Sequence, residues 1–280
     1  MIIYKNALQL NAHIQNIKTT EKKIGFVPTM GALHDGHLSL IRAASKINAF
    51  KVCSIFVNPT QFTDQDDFDR YPKTIEKDIE MLVQAGCDVL FFPPKSEVYT
   101  QSFVSKNFPL GSVELVLEGH FRPGHFQGVC QVVDRLLNIV QPDILYLGQK
   151  DYQQCMVIQK LLSLTNKESE IELLIEPTQR ESDGLALSSR NMRLNDGERK
   201  NATAIFQALL YIKDHIDQTS FPILKEKAFM ILKEKGFTVD YVEIANRHTL
   251  EPALESQEAL IALIAARLGN VRLIDNMLMN

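Results

Sequence analysis

The residues of this sequence best suited to chemistry lie around two histidines, His34 and His37, which flank Gly36. They follow a short apolar run, residues 24–27, that predicts a β-strand, and the pattern from Gly36 onward predicts a helix. A helix that starts at the carboxyl end of a strand offers free N–H groups and a positive dipole end to an anion. Two imidazoles there can donate to phosphate oxygens. The alternative is two ordinary surface histidines, but the H-x-G-H spacing after a strand and turn favours a phosphate site.

The connection between this strand and helix is predicted to be a tight turn. Pro28 and Gly31 are typical turn residues, and Pro28 is predicted to end the strand. Asp35 is predicted to be the helix N-cap, because its carboxylate can accept hydrogen bonds from the first free N–H groups.

A second strand, glycine and helix start occurs at Gly148–Asp151. Lys150 at a helix N-terminus is unfavourable for the helix, because its charge meets the positive end of the dipole. A local rule broken at the carboxyl end of a strand points to function. The alternative is a solvated lysine.

The segment 183–191 combines two hydroxyls, a fixed cation and a glycine: Ser188, Ser189, Arg190 and Gly184. Such a loop can fold over a triphosphate, donate hydrogen bonds to it and exclude water, with the glycine as a hinge. The alternative is a capped helix start.

Apolar strand-like runs alternate with helical patterns through the first part of the chain. The predicted strands are residues 24–27, 51–57, 88–92, 144–147 and 171–175. This alternation predicts an α/β fold, a doubly wound parallel sheet with helices on both faces. Residues 95–120 are predicted to be loops with a short strand, and residues 117–126 to be loop.

From about residue 181 the pattern changes. It predicts helices at 199–217 and 222–235, a strand at 239–244 and a final segment at 259–265. We therefore predict a domain boundary near residues 178–182, with a first domain at 1–180 and a smaller α+β domain at 181–280.

The composition excludes several classes of protein. The chain has 280 residues, 45% of them hydrophobic, and a formal net charge of −4 without a long basic run, so no nucleic-acid surface is expected. No apolar run is long enough for a membrane span, and we expect no signal peptide. Four scattered cysteines without a CxxC pair predict reduced thiols in a cytoplasmic protein.

The stretch Pro-Thr-Met-Gly-Ala-Leu-His-Asp-Gly-His, residues 28–37, resembles the HxGH motif of the adenylylating nucleotidyltransferase superfamily, and in particular that of the pantothenate synthetase family. Residues 148–154 resemble the family's GEKDYQQ segment, with Gln149 in place of Glu. Residues 183–191 resemble its form of the KMSKS-type loop. The likeness covers roughly residues 24–195 and implies a Rossmann-like first domain. The family usually has Glu at the position of Asp35 and an apolar residue at that of Gln179.

The resemblance implies an ATP site built from these three segments. The implied ATP-binding residues are Met30, Gly31, Ala32, Leu33, His34, Asp35, Gly36, His37, Gly148, Gln149, Lys150, Asp151, Gln179, Leu187, Ser188, Ser189 and Arg190. Within this set the implied catalytic residues, which contact the triphosphate, are His34, His37, Lys150, Ser188, Ser189 and Arg190. Gln179 is expected to contact adenine through its backbone only.

Further residues are assigned to the second substrate and to a metal by the same resemblance. Gln61, in the segment Phe56–Phe62, and Gln154 match the family's pantoate-binding glutamines, and Arg122 resembles a residue lining the site. Asp78 is implied as a Mg²⁺ contact by way of ATP, and a solvated helix carboxylate is the alternative.

The implied reaction is the ATP-dependent joining of (R)-pantoate to β-alanine, with Mg²⁺ accompanying ATP and no tightly bound organic cofactor. A homodimer is also implied. Alternatives are a nucleotidyltransferase acting on a phosphorylated vitamin precursor, a tRNA-charging enzyme and a non-catalytic nucleotide-binding module. The first needs a basic pocket for the second phosphate and the second needs a basic face, while the third gives Gln61 and Gln154 no role.

Overall fold

The computed structural model describes residues 1–47, 49–254 and 259–279. These residues form two compact units, each assembled from several segments of chain. The first unit comprises Met1–Leu110, Arg122–Gly148 and Gln154–Pro177. The second comprises Gly111–Phe121, Gln149–Gln153 and the described residues from Thr178 onward. The domain boundary expected near residues 178–182 stays a prediction.

The first unit contains a parallel sheet. Its strands are β1 (Ile2–Tyr4), β2 (Ile24–Thr29), β3 (Phe50–Ile55), β4 (Val89–Phe91), β5 (Ile144–Gly148) and β6 (Glu172–Glu176). They lie in the order β1-β4-β3-β2-β5-β6, and all pairs are parallel. Strands β3 and β4, which follow β2 in the chain, lie on one side of it, and β5 and β6 lie on the other side. In such sheets, ligands bind beyond the carboxyl ends of the strands at this reversal, which here lies between β2 and β5.

Helices connect these strands. They are α1 (Ala7–Lys18), α2 (Asp35–Lys46), α3 (Gln65–Asp69), α4 (Ile75–Gln84), α5 (Lys95–Val98), α6 (Glu118–Phe121), α7 (His125–Val140) and α8 (Tyr152–Leu164). Apolar side chains of α2 and α4, such as Ile41 and Leu82, pack with those of β2, β3 and β5 in one core cluster. The central strands are therefore nearly continuous apolar runs, as expected for a parallel sheet covered by helices.

Strand β2 is longer than the sequence predicts. It continues through Pro28 to Thr29, and Pro28 lies opposite Ser54 in β3. On the other side, β5 pairs with β2 only at Gly25 and Phe26. At Pro28 the strand therefore has a neighbour on one side only, and a residue without an N–H group is tolerated there.

The second unit contains an antiparallel sheet and three further helices within its described residues. The strands are β7 (Thr238–Asn246), β8 (Leu260–Leu268) and β9 (Val271–Leu278), in that order. The helices are α9 (Asp196–Asn201), α10 (Ala204–His215) and α11 (Phe221–Glu234). Buried residues of α10, α11 and the sheet form a separate hydrophobic core, which includes Leu209, Leu224 and Ile264.

The predicted fold class is confirmed: a doubly wound parallel sheet with helices, and a smaller α+β part. The prediction for residues 95–120 is wrong. Residues 95–120 contain no strand but the short helix α5, a 3₁₀ turn at Gly111–Glu114 and most of α6. Strands β1 and β9 are not among the predicted strands. None of the described helices is long and apolar enough to cross a bilayer.

Candidate active site

The turn after β2 brings the chain from the sheet to the start of α2. Gly31 has φ +82° and Ala32 φ +49°, so two consecutive residues adopt the left-handed region. A Cβ at Gly31 would lie 3.0 Å from Ile55 Cγ2 and 3.1 Å from Asp78 Oδ2. Glycine is thus required both for the backbone angle and for the close approach.

Asp78, on α4, holds this turn in place. Its side chain is buried, with 1% exposure. Oδ2 accepts from the Ala32 N–H at 2.9 Å and Oδ1 from the Leu33 N–H at 2.8 Å, and the Thr74 hydroxyl donates to Oδ1 at 3.0 Å. The alternative of a solvated carboxylate is therefore wrong. The Mg²⁺ contact stays a prediction.

The two histidines lie at the N-terminus of α2. His34, not Asp35, is the N-cap residue, and Asp35 is the first residue of the helix. Asp35 has a side chain that is 71% exposed, and it pairs with Arg42 at 3.3 Å. Its charge still complements the positive end of the helix dipole. The N-cap therefore lies one residue before the predicted position.

The imidazole of His37 is oriented by the backbone. Its Nδ1 accepts from the His34 N–H at 3.3 Å, and the two histidine rings have centroids 4.1 Å apart. A neutral imidazole that accepts through Nδ1 carries its proton on Nε2. His37 is thereby set as an N–H donor at a helix N-terminus, where anions are stabilised.

Gln61 ends a 3₁₀ turn, Pro59–Gln61, that follows β3. Its side chain is fixed at both ends: Asn58 Nδ2 donates to Oε1 at 3.0 Å, and Nε2 lies 3.2 Å from Met30 Sδ. The structure therefore brings together two of the predicted residues, Met30 and Gln61. Asn58 is 1% exposed and was not predicted as a site residue. Its position before Pro59 at the start of a turn was the available signal.

Helix α7 supports the same turn. His125 Nδ1 lies 2.7 Å from the Gln61 carbonyl oxygen, to which it donates, so its Nε2 can accept from Arg122 Nη1 at 3.2 Å. Arg122 is thus connected to Gln61 through His125. His125 also lies in α7 and residues 118–121 in α6, so the predicted loop at 117–126 is partly helical.

The two adjacent glutamines at the start of α8 differ in environment. Gln153 is 3% exposed and donates to the carbonyl oxygens of Val113 and Val116, both at 2.8 Å. Gln154, the predicted pantoate ligand, is half-buried, and no partner among the described residues holds its side chain in this way. Gln153 is therefore structural, which leaves Gln154 as the glutamine of this pair suited to a ligand.

In the second unit, residues 149–151 form a 3₁₀ turn immediately before α8. Lys150 therefore precedes the helix. Its Nζ is 3.7 Å from Asp151 Oδ1, and its side chain is 18% exposed. Asn276 Nδ2 donates to the carbonyl oxygens of Gln149 and Lys150, which fixes the backbone of this turn.

The 179–191 segment is a loop in the second unit that is held by backbone hydrogen bonds. The Leu187 N–H donates to the Gln179 carbonyl at 3.0 Å, and Arg180 and Ala186 form an antiparallel bridge. At Gly184, with φ +93°, a Cβ would lie 2.0 Å from Phe206. Glycine is required there for packing as well as for backbone conformation. The hydrogen bond to Arg199 lowers the pKa of Asp183, also in this loop.

Two of the predicted residues, Ser189 and Arg190, begin a 3₁₀ turn, Ser189–Arg193, that overlaps the end of this loop. Ser188 precedes the turn, and its Oγ accepts from the Arg190 N–H at 3.3 Å. Ser189 is 7% exposed. Consecutive N–H groups and hydroxyls at the start of a helical turn suit an anion.

A doubly wound sheet with a histidine pair at a helix start beside its strand reversal defines a nucleotide-binding α/β enzyme. The pantoate-beta-alanine ligase family model matches residues 2–278. A pantothenate synthetase of Acinetobacter baylyi is 44% identical over 270 residues, with 96% of this chain and 95% of the relative covered. The chain belongs to the pantoate-beta-alanine ligase family, and it is a ligase. The predicted family and enzyme class are confirmed.

Solved structures agree with this assignment. A pantothenate synthetase of Thermus thermophilus has a TM-score of 0.93 and 38% identity, with 99% of each chain covered. A pantoate-beta-alanine ligase from Francisella tularensis, complexed with beta-gamma ATP and beta-alanine, has a TM-score of 0.82 and 37% identity. That match covers 100% of this chain and 98% of the other.

Proposed function

We propose that this protein condenses (R)-pantoate with β-alanine at the expense of ATP, yielding pantothenate, AMP and pyrophosphate through a pantoyl-adenylate. The observation that carries the proposal is His37, a backbone-oriented N–H donor at the N-terminus of α2, in a chain of this ligase family. The ATP and β-alanine bound to the Francisella relative support both as substrates here.

The chemistry needs no protein nucleophile. A carboxylate oxygen of pantoate attacks the α-phosphorus of ATP, and the bond to pyrophosphate breaks. The β-alanine nitrogen then attacks the acyl carbon, AMP leaves with the carbon–oxygen bonding pair, and the amine loses a proton to solvent. Positioning and charge stabilisation of the pentacoordinate phosphorus supply the catalysis.

The ATP contacts are proposed to lie at the described turns. His34 and His37 donate to phosphate oxygens at the α2 N-terminus, supported by the backbone of Met30–Leu33. Lys150, Ser188, Ser189 and Arg190 are assigned to the triphosphate. The remaining residues assigned to the nucleotide are Asp35, Gly36, Gly148, Gln149, Asp151, Gln179 and Leu187.

Gln61 and Gln154 are assigned to pantoate. The amide of Gln61 is fixed by Asn58 and Met30, and an amide can both donate to a carboxylate and accept from a hydroxyl. Arg122, connected to Gln61 through His125, adds positive charge on this side.

Mg²⁺ is proposed to enter with ATP, where it would neutralise phosphate charge. Mg²⁺ commonly binds through substrate phosphates and waters with few protein carboxylates. The donor set fits that mode, since the described residues contain no group of three or more His, Cys, Asp or Glu arranged for a metal. Asp78, which accepts three hydrogen bonds, stays a predicted contact to Mg²⁺ by way of ATP.

A homodimer and a cytoplasmic location complete the proposal. The family resemblance supports the dimer, and the four buried cysteines, which form no disulfide, are consistent with a reducing compartment.

Pyrophosphate exchange tests the first half-reaction. Labelled pyrophosphate should enter ATP when Mg²⁺ and pantoate are present and β-alanine is absent. Gln61→Ala should slow the exchange by about 100-fold through misplacement of the pantoate carboxylate. Arg190→Ala should also slow it, through lost charge stabilisation of the phosphate.

Gln101→Ala, an exposed loop glutamine, is the matched control and should exchange at the wild-type rate. Exchange that strictly requires β-alanine would contradict a free adenylate, and release of ADP instead of AMP would indicate an acyl phosphate.

A further inference from the structure

Two adjacent polar residues of β9 are buried in the second unit. Asp275 is 4% exposed and Asn276 is 2% exposed. The proposed chemistry uses neither side chain. Buried polar groups are retained when hydrogen bonds satisfy them, so their partners indicate their role.

Asn276 holds the turn that carries Lys150. Its Nδ2 donates to the Gln149 carbonyl at 2.9 Å and to the Lys150 carbonyl at 2.8 Å. Its Oδ1 accepts from Gln149 Nε2 at 3.2 Å. One side chain thus fixes two consecutive peptide units, and the Lys150 side chain starts from a defined backbone position.

Asp275 holds the 179–191 loop through Arg180. The guanidinium Nη2 donates to Oδ1 at 3.0 Å and Nη1 to Oδ2 at 2.5 Å, a bidentate pair. Arg180 Nη1 also donates to the Gly184 carbonyl at 3.1 Å, and Arg180 Cζ lies 4.6 Å from the centroid of the Phe206 ring. These contacts anchor the base of the loop that leads to Ser188–Arg190.

The two residues are also coupled to each other. The Asn276 N–H donates to Asp275 Oδ1 at 2.8 Å, and Arg180 Nη2 donates to the Asn276 carbonyl at 3.3 Å. Burial raises the pKa of the Asp275 carboxyl, while the positive charges of Arg180 and Lys150 oppose this rise.

We propose that Asp275 and Asn276 are positioning residues for adenylate formation, which hold the Lys150 turn and the Ser188–Arg190 loop in one fixed arrangement. This inference rests on the proposed function, because it assumes that both segments contact ATP. It gives strand β9 a role in the reaction, although none of the residues assigned to the substrates lies on that strand.

A double-mutant cycle tests the Asn276 contact. Asn276→Ala should slow pantoate-dependent pyrophosphate exchange by about 10- to 100-fold, because small displacements of a reacting group have effects of that size. The KM for pantoate should change by less than about threefold, since pantoate binding is assigned to other residues. Combined with Lys150→Ala, Asn276→Ala should cause almost no further loss, because it acts through Lys150.

Leu273→Ala is the matched control on the same strand. Leu273 is 5% exposed, and its side chain packs in the hydrophobic core of the second unit. Leu273→Ala should have a lower melting temperature than the wild type. If it also slows pyrophosphate exchange, its effect on the rate should multiply with that of Lys150→Ala in the double variant. If Asn276→Ala does not fold, Asn276→Asp keeps the acceptor for Gln149 but cannot donate to the two carbonyls.

A second double-mutant cycle, with Asp275→Asn and Arg190→Ala, tests the role of Asp275 in holding the 179–191 loop. If the rate losses of the two single variants multiply in a double variant, the residue of β9 in that cycle is not a positioning residue. This holds even if the wild-type enzyme exchanges pyrophosphate normally. Full activity of Lys150→Ala would overturn the Asn276 role. Absence of exchange in the wild type would instead contradict the proposed function, and this inference with it.

Discussion

At the scale of single residues, His37 illustrates how the backbone determines the chemistry of a side chain. Its Nδ1 accepts from the His34 N–H, so the proton resides on Nε2. The residue types and their spacing were readable in the sequence, and so was the anion-binding helix start. The tautomer was not, because it depends on the one-residue shift of the helix N-cap from Asp35 to His34.

His37→Ala should slow adenylate formation by about 10²–10³-fold, because one preorganised donor to the transition state is lost. The free energy of unfolding should fall by only about 1 kcal/mol, the usual effect of a lost cap contact. Pyrophosphate exchange and thermal melting measure the two effects. His120→Ala, an exposed histidine on α6, should change neither quantity. Turnover near the wild-type rate in His37→Ala would remove His37 from the mechanism.

At the scale of elements, α7 and the 3₁₀ turn Pro59–Gln61 touch through their backbones. A Cβ at Gly128 would lie 2.1 Å from the Thr60 carbonyl oxygen and 2.8 Å from Gln61 Cα. The Gly128 carbonyl also accepts from Asn58 Nδ2 at 3.1 Å. The close approach of the helix therefore sets the position of Gln61.

Gly128→Ala should displace this turn and lower the free energy of unfolding by about 1–3 kcal/mol through overpacking. Because Gln61 moves with the turn, the KM for pantoate should rise as well. Chemical denaturation and steady-state kinetics provide both values. In Gly197→Ala, on α9, the new Cβ meets only Asn195 Oδ1 at 3.4 Å, so stability should be unchanged or slightly higher. Wild-type behaviour of Gly128→Ala would show that the turn adjusts without loss.

The sequence predicts elements better where their apolar pattern is local. Strands β2 to β6 of the first unit were predicted in the right order, because each is an apolar run between turn residues. Strand β9 was missed because Asp275 and Asn276 interrupt its apolar pattern. Their partners, Arg180 and Gln149, lie 95 and 127 residues away, so a sequence window cannot show that these polar side chains are satisfied.

At the scale of the whole molecule, the four cysteines are all buried, although they are far apart in the chain. Cys53, Cys87, Cys130 and Cys155 are buried thiols that form no disulfide. Burial raises the pKa of Cys87 to about 12 and that of Cys53 well above its ordinary value. The thiolate, which is the reactive form, is therefore disfavoured at neutral pH in both.

The native protein at pH 8 should react only slowly with a chromogenic disulfide reagent, at a rate limited by opening of the structure. After denaturation, four thiols should react at once. Because the raised pKa values keep Cys53 and Cys87 protonated in the folded state, a rise in pH through about 8.5, the ordinary thiol pKa, should favour unfolding. Rapid labelling of a thiol in the native protein would contradict this account of the buried cysteines.

The contacts of Asn276 with the Lys150 turn also order events during synthesis of the chain. Asp78 can hold the turn at residues 31–33 once α4 has emerged from the ribosome. Asn276 follows Lys150 by 126 residues, so the Lys150 backbone gains this partner only when β9 has been made. Domains fold largely as their sequence emerges, N-terminal parts first. A nascent chain therefore acquires its two helix-start histidines early and the fixed Lys150 turn late, so that adenylate formation would be slow until β9 has been made.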